Sequence, residues 1–330
     1  MTNNAVTTVT VGDRVFVISF AGLTAGKSHT DTLDATFVLD KRSGRWTRTK
    51  PVPGGAGRLA ATATTVGQLA YVFGGYTVAK DGAETSTPWL HAFDPVAMVY
   101  EKLMSIPVPV DDAMALAYRD RYIYLISGWH DHGNVNLVQR YDTLTDRWIQ
   151  ATPVPGRAVF GHAGGIVGNR IVYCDGVAIR VHADRRRDFV ANDECFIGHI
   201  DDADTRRIDW RRIDPHPGAP RYRMAAAGIA GRNAILFVGG TENPYNYDGI
   251  GYDGQPSAPA AGAFWYDLES GNWKQIRQDN TPTMDHRGLV PFGDSWLTVG
   301  GMLDEQQVMN RVIAYDLVID DHRSIGTPEQ

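Results

Sequence analysis

The residues best suited to chemistry in this 330-residue chain are histidines, arginines and carboxylates in short polar clusters. The run Trp129-His130-Asp131-His132 is the densest. Imidazole titrates near neutral pH, so His130 and His132 suit general acid/base work. Two positions apart in an extended segment, they share one face. His-x-His can also ligate a metal if a third ligand comes from elsewhere, and His162 or His286 could supply it. Asp175 is a further candidate proton carrier. The plainer alternative for the His run is a solvated polar loop. No Gly-x-Ser-x-Gly elbow, P-loop or dinucleotide fingerprint is present. The expected cofactor is therefore none, with a metal ion on these histidines as the one exception.

A second group of residues suits binding. Arg58, Arg223 and Arg287 could converge on a carboxylate or sulfate, for which the guanidinium fork is shaped; bracing neighbouring strands is the competing role. Tyr76, Trp129, Arg180 and Tyr222 lie at related places in the chain. The loop Glu242-Asn243-Pro244-Tyr245-Asn246-Tyr247 is rich in groups that suit sugars, because aromatic faces stack on pyranose C–H groups and amides read hydroxyls. Asp248-Gly-Ile-Gly-Tyr-Asp253-Gly offers oxygen ligands to calcium but lacks the full loop signature. Arg185-Arg186-Arg187 reads as a solvated loop.

What must position these residues is a repeat. An apolar, β-rich run ends in a small or glycine pair six times: Ala21-Gly22, Gly74-Gly75, Ser127-Gly128, Asp175-Gly176, Gly239-Gly240 and Gly300-Gly301. The second glycines lie 53, 53, 48, 64 and 61 residues apart, near a known propeller period of about 50. A strand ending in Asp follows each pair: Asp40, Asp94, Asp142, Asp201, Asp267 and Asp316. Six residues beyond four of these stands an aromatic, namely Trp46, Tyr100, Trp148 or Trp273; Trp210 comes nine after Asp201, and His322 takes the position in the last repeat. From an Asp to the next second glycine the distance is 34 or 35 residues, or 39 where Trp210 is delayed. From second glycine to Asp it ranges from 14 to 27. The variable loop therefore joins the second and third strands of each unit. No 3.6-residue apolar period is sustained.

The expected fold is all-β: one six-bladed β-propeller with four antiparallel strands per blade. The blades fall near residues 4–50, 51–105, 106–153, 154–214, 215–278 and 279–327. Asn4 to Val11 reads as the innermost strand of blade one, and Asp321–Ile325 as the outer strand of blade six. The variable loops and the connections between blades share one face, at the mouth of the central channel. Such concave mouths with convergent polar groups are the default place for a site.

The glycine pairs, strand-ending aspartates and following aromatics together resemble Kelch repeats across the whole chain. The segment Trp46-Thr-Arg-Thr-Lys-Pro-Val-Pro-Gly-Gly-Ala-Gly-Arg58, leading to Tyr71-Val-Phe-Gly-Gly75, and the delayed Trp210 are similar to the bacterial N-acetylneuraminate epimerase (sialic acid mutarotase) group of six-bladed Kelch proteins. That resemblance implies interconversion of sugar anomers by a glutamate and an arginine of blade four. At the glutamate's place this chain has Val177, with Asp175 two positions earlier. Arg180 is the match for the arginine.

Composition narrows the partners. Hydrophobic residues at 43% and charged residues at 21% are ordinary for a globular chain. A net charge of −6 argues against nucleic acid. No apolar run reaches the roughly 18 residues of a membrane span, and no leader is visible, so a cytoplasmic location is expected. Cys174 and Cys195 read as buried thiols or one disulfide. The expected function is a carbohydrate-active isomerase or epimerase, mutarotase-like, or a lyase, acting on a small sugar, acidic or neutral, by general acid/base chemistry. The alternatives are a non-catalytic propeller binding a glycan or a peptide of a protein partner, and a metal-dependent enzyme using the histidines.

Overall fold

Each strand-ending aspartate from Asp40 to Asp267 closes a tight turn with its own side chain. Its Oδ1 accepts from the backbone N–H two residues on, and often three. Examples are Arg42 to Asp40 at 2.9 Å, Val96 to Asp94 at 2.7 Å and Ala203 to Asp201 at 2.8 Å. Leu144 to Asp142 at 3.1 Å and Glu269 to Asp267 at 2.9 Å repeat the pattern. A short carboxylate is suited to this turn, in which the side chain stands in for a backbone acceptor. It reverses the chain between the third and fourth strands of a blade.

The computed structural model describes residues 1–276 and 280–316. It is an all-β, six-bladed propeller of four-stranded antiparallel blades. Blade three shows the pattern: Met114–Tyr118 innermost, then Tyr122–Ile126, Val138–Asp142 and outermost Arg147–Ala151. In blade one, Ala5–Val11 is innermost and pairs with Arg14–Leu23. Blade six has Val290–Phe292, Ser295–Val299 and Val312–Asp316 among the described residues. The expected outer strand at Asp321–Ile325, like His322, lies outside them.

The core is divided between blades. Tyr124, Ile126 and Val138 of blade three pack on Ile171, Tyr173 and Phe196 of blade four. The same facing arrangement joins blade four to blade five through Val172, Phe237 and Phe264. A blade has no interior of its own, so only the closed ring buries both faces of every sheet. The outer-strand tryptophans of blades three, four and five each tie a seam at the rim. Trp148 donates its indole N–H to the Met104 carbonyl at 3.0 Å, Trp210 to Thr152 at 3.2 Å and Trp273 to Asp214 at 2.7 Å. Each acceptor lies near the end of the preceding blade.

The glycine pairs have a stereochemical cause. Both residues of all six pairs have positive φ. The first position tolerates Ala21, Ser127 and Asp175. The second is always glycine. A Cβ on Gly128 would stand 2.6 Å from the Asp111 carbonyl oxygen, and one on Gly176 2.7 Å from that of Phe160. The variable loops that follow carry small hairpins. Tyr76–Val78 pairs with Glu84–Ser86, Trp129–His130 with Gly133–Asn134, and Val177–Val181 with Arg187–Ala191. Cys174 and Cys195 are directly opposed in the register and form a buried disulfide below the last of these hairpins. No helix among the described residues is long and apolar enough to cross a membrane.

Candidate functional site

Six short bridges build the channel mouth, one per blade. The residue shortly before each inner strand pairs with the residue after the glycine pair: Thr2 with Leu23, Leu59 with Tyr76, Asp111 with Trp129, Phe160 with Val177, Tyr222 with Thr241 and Met284 with Met302. The next residue in each blade is left-handed: Asn3, Ala60, Asp112, Gly161, Arg223 and Asp285, with φ between 50° and 68°. Four of these are neither glycine nor asparagine, and such backbone costs on the order of 1 kcal/mol or more each. Their amides link blade to blade, as Asp112 N–H to Ala60 O at 3.0 Å, Gly161 N–H to Asp112 O at 2.9 Å and Arg223 N–H to Gly161 O at 2.8 Å.

Side chains from this ring plug the channel. Arg223 donates to Asp112 through Nε (3.1 Å) and Nη2 (2.6 Å), and through Nη1 to Asp285 (2.8 Å). Arg287 reaches Asp112 at 2.7 Å and Asn3 at 2.9 Å. Thr2 and Tyr222 donate to Asp285 and Asp112. Burial works against the charge on Asp112, but Arg223 and Arg287 outweigh it and hold the carboxyl below its ordinary range. Burial likewise opposes the Arg223 charge, and Asp112 outweighs it. Two acids and two guanidiniums make a plug of balanced charge, in which only Arg287 Nε among the guanidinium nitrogens of Arg223 and Arg287 is left without a hydrogen-bond partner among the described residues.

The plug separates two cavities. Above it, at the mouth, a pocket of about 100 Å³ has Asp111, Asp112 and Arg223 as its floor. Tyr76 and Glu84 form one wall. Trp129, Phe160, Phe189 and Tyr252 form an aromatic cluster in the pocket, and Tyr245, Asn246 and Tyr247 complete the lining. The aromatic wall is continuous: Phe189 and Tyr252 have ring centres 4.2 Å apart, Trp129 and Phe160 5.5 Å, and Trp129 and Phe189 5.7 Å. The volume has room for several waters or one small organic group. Asp111 accepts from Ser86 Oγ at 2.7 Å. Burial, then repulsion from Asp112, pushes its carboxyl well above the ordinary range. Burial also pushes Glu84 up. Below the plug lies a channel cavity of about 470 Å³, lined by the threonines and small residues of the inner strands, with His162, His286 and Arg287 against the plug.

The structure brings Tyr76, Trp129, Arg223, Tyr245 and Tyr247 to the mouth pocket. It places the other sequence candidates elsewhere. His130 and His132 sit on the small hairpin beside Trp129 and do not line the pocket. His162 and His286 face the channel beneath the plug, where burial lowers both to about 4 and keeps them neutral. Asp175 is fully buried, accepting from His216 Nε2 and the Arg221 N–H, each at 2.7 Å. Burial opposes the charge on His216, but Asp175 raises its pKa. This pair braces a blade junction. Arg58 donates to the Gly74 carbonyl at 3.0 Å and lies over Trp89. Arg221 does the same to Gly239 and Phe264. These two arginines hold glycine-pair turns in place. Arg180 is exposed and paired with Asp188. Tyr222 lies under the pocket, bonded to Asp112. Glu242 is exposed outside it, and Asn243 ties its own loop through Asp253 at 3.1 Å. Among the described residues no three His, Cys, Asp or Glu side chains are grouped to hold a metal ion.

Sequence reasoning gave no role to Glu84 and Phe189, whereas the inner-strand register makes Asp111 and Asp112 mouth candidates of blade three, and Tyr252 ends the loop of residues 242–252 read as suited to sugars. For Asp111 a signal exists. It stands 17 residues before Gly128, and the corresponding bridge residues of blades two to six all stand 16 to 18 before their glycine. Glu84 and Phe189 fall inside hairpins of variable length and carry no such mark.

No family model matches the chain. It is similar to Kelch-like protein 36 of Bos taurus, 27% identical over 143 residues, covering 43% of this chain and 22% of that protein. It is similar also to Kelch-like protein 15 of Gallus gallus, 24% identical over 112 residues, covering 34% and 22%. The chain thus spans about a fifth of the length of these curated relatives. The solved structure of YjhT matches with a TM-score of 0.75 at 16% identity, covering 98% of this chain and 96% of that one, a likeness of fold. The chain is a six-bladed propeller of Kelch repeats.

Proposed function

We propose that the mouth pocket binds a small sugar and interconverts its anomers, with Asp111 as general acid and Glu84 as general base. The observation that carries this reading is the pair of carboxylates facing one aromatic-walled pocket, neither with a cationic partner among the described residues. Burial pushes both carboxyls up, Asp111 the further, so Asp111 is the better placed to hold a proton and the exposed Glu84 to accept one. Two carboxyls pushed apart in this way give an acid and a base at one pH. Asp111 gives its proton to the ring oxygen while Glu84 takes the proton of the anomeric hydroxyl. The bond between the anomeric carbon and the ring oxygen breaks, leaving the open-chain carbonyl compound. Rotation and the reverse transfers close the other anomer, so no electrons or atoms are gained or lost. The resemblance to the N-acetylneuraminate epimerase group supports isomerase chemistry. The engagement of Arg223 and Arg287 by Asp112 and Asp285 argues against an acidic sugar.

The test is NMR exchange spectroscopy of a panel of reducing sugars with catalytic amounts of protein. Accelerated exchange that falls about 100-fold or more in Asp111→Asn is expected. Exchange at the uncatalysed rate for every sugar would defeat the proposal. A second reading, a propeller that holds a glycan or peptide without chemistry, is supported by the same aromatic walls, which need no proton carrier to bind. Tight binding that survives Asp111→Asn, with no anomer exchange, would select it.

A further inference from the structure

We propose that the ligand of the mouth pocket carries a positive charge, an ammonium or methylated ammonium group seated between Glu84 and the aromatic wall. For a sugar this means an amino sugar. That the ligand is a sugar rests on the function proposed above; that it is cationic rests on the charges and rings of the pocket.

The plug supplies the first argument. Arg223 holds both Asp112 and Asp285, at 2.6 and 2.8 Å, and Arg287 holds Asp112 at 2.7 Å, so two acids balance two guanidiniums. Among the described residues no guanidinium at the mouth is left for an anion, and the carboxyls that remain facing the pocket are those of Asp111 and Glu84. An anionic ligand would meet two carboxyls and no free cation. A neutral ligand would leave the Glu84 carboxylate, exposed at the pocket, without a partner charge. A cation supplies that partner, since an opposite charge a few ångströms away favours the ionised carboxyl, most of all once the ligand excludes water from it.

The rings supply the second. Trp129, Phe189 and Tyr252 form a contiguous aromatic cluster in the pocket that Tyr76 and Glu84 also line. Aromatic faces attract a cation through their quadrupole, most strongly where water is excluded. The Tyr245 hydroxyl at the same pocket is fully buried and forms no hydrogen bond among the described residues, so it is available to accept an ammonium N–H. The two arguments also fit the proton roles. An ammonium beside Glu84 favours its ionised, basic form, while Asp111, set deeper against Asp112, keeps its proton.

The experiment is calorimetric titration at neutral pH with four probes: glucosamine, glucose, glucuronate and choline. Glucosamine should bind at least about tenfold more tightly than glucose. Glu84→Gln should remove most of that preference, and Phe189→Leu, which preserves an apolar wall, should reduce it. Equal affinity for glucose and glucosamine, or tightest binding of glucuronate, would overturn the charge inference and leave the sugar reading standing. Binding of choline with no binding of any sugar would support the charge inference and overturn the sugar reading. Binding of none of the four would overturn both.

Discussion

Arg223 and Asp112, 111 residues apart in sequence, form a two-pronged ion pair at the centre of the ring, both with strained left-handed backbone and both almost fully buried. The pair spans from blade three to blade five, and the same guanidinium reaches Asp285 of blade six. A charge network in this position closes the channel and sets the floor of the mouth pocket at once. Removing one partner leaves two buried carboxylates with too little counter-charge. Arg223→Met should therefore cost about 3–5 kcal/mol in denaturant unfolding. Adding Asp112→Asn should recover part of that loss, because the pair is coupled. The acid limb should move as well. Asp112 has a depressed folded pKa, so it contributes stability above its unfolded value of about 4, lost as pH falls through the folded value. In Arg223→Met that contribution shrinks, and acid unfolding should begin at higher pH. Strictly additive single and double variants would show that the two residues do not act as one unit.

Asp111 has the opposite sign. Its folded pKa is raised, so the folded state holds a proton that the unfolded chain releases above about pH 4. Stability attributable to this group falls as pH rises from that value toward the folded pKa. Asp111→Asn, which cannot ionise, should be more stable than the parent at pH 7 and should gain less, or nothing, at pH 4. The same substitution should lower anomer exchange by about 100-fold. A gain in stability with a loss of activity is the expected mark of a residue kept for function rather than for folding. Equal stability differences at both pH values would show that Asp111 is ionised in the folded protein.

The propeller was legible because its punctuation has hard stereochemical causes. Asp40, Asp94, Asp142, Asp201 and Asp267 close turns with their own carboxylates, and a Cβ at Gly128 or Gly176 would strike a carbonyl. Such requirements recur in every blade and show as spacing. The site was less legible because its members obey no spacing. Tyr76 and Trp129 follow the glycine pair at once and could be read from it. Glu84 and Phe189 arrive on hairpins whose length differs from blade to blade. The arginines show a different limit. Arg58 and Arg221 have the same residue type as Arg223, yet they hold backbone carbonyls while Arg223 holds carboxylates. Sequence gives the guanidinium but not the acceptors that the ring closure brings to it. Histidine was misleading for a related reason: the inner strands carry His162 and His286 below the plug, where burial keeps them uncharged.

Asp175 and His216 offer a direct separation of structure from chemistry. The two side chains are each about 1% exposed and meet at 2.7 Å, away from either lining of the mouth pocket. Asp175→Asn should destabilise the protein by about 3 kcal/mol or more, since it removes the carboxyl oxygen that pairs with the buried His216 ring and holds the Arg221 N–H. His216 has a raised folded pKa, so its contribution is full below its unfolded value of about 6.5 and is lost as pH rises through the folded value. The difference between parent and variant should thus narrow above neutral pH. At a temperature where both are folded, anomer exchange per folded molecule should be unchanged. A fall in exchange alone, with stability intact, would move Asp175 into the catalytic group.

The disulfide between Cys174 and Cys195 gives the last prediction. The bridge is fully buried, closes a 21-residue separation and lies immediately before Asp175-Gly176, the turn that launches the hairpin carrying Phe189. Closing a loop of that length limits the unfolded chain, and its loss should cost about 3 kcal/mol in the Cys174→Ala/Cys195→Ala variant. Because the sulfurs are enclosed between blades four and five, reductant should reach them only when the sheet opens. Reduction under native conditions should therefore proceed no faster than that opening, which hydrogen exchange of the Cys195–Ile200 strand measures independently. Stable disulfides are favoured in oxidising compartments. Protein expressed in a reducing cytoplasm should yield the dithiol, with a lower melting temperature than the exported form and recovery of the difference on mild oxidation. Identical melting of the two forms would show that the bridge carries no stability and that the packing of Val172, Phe237 and Phe264 around it suffices.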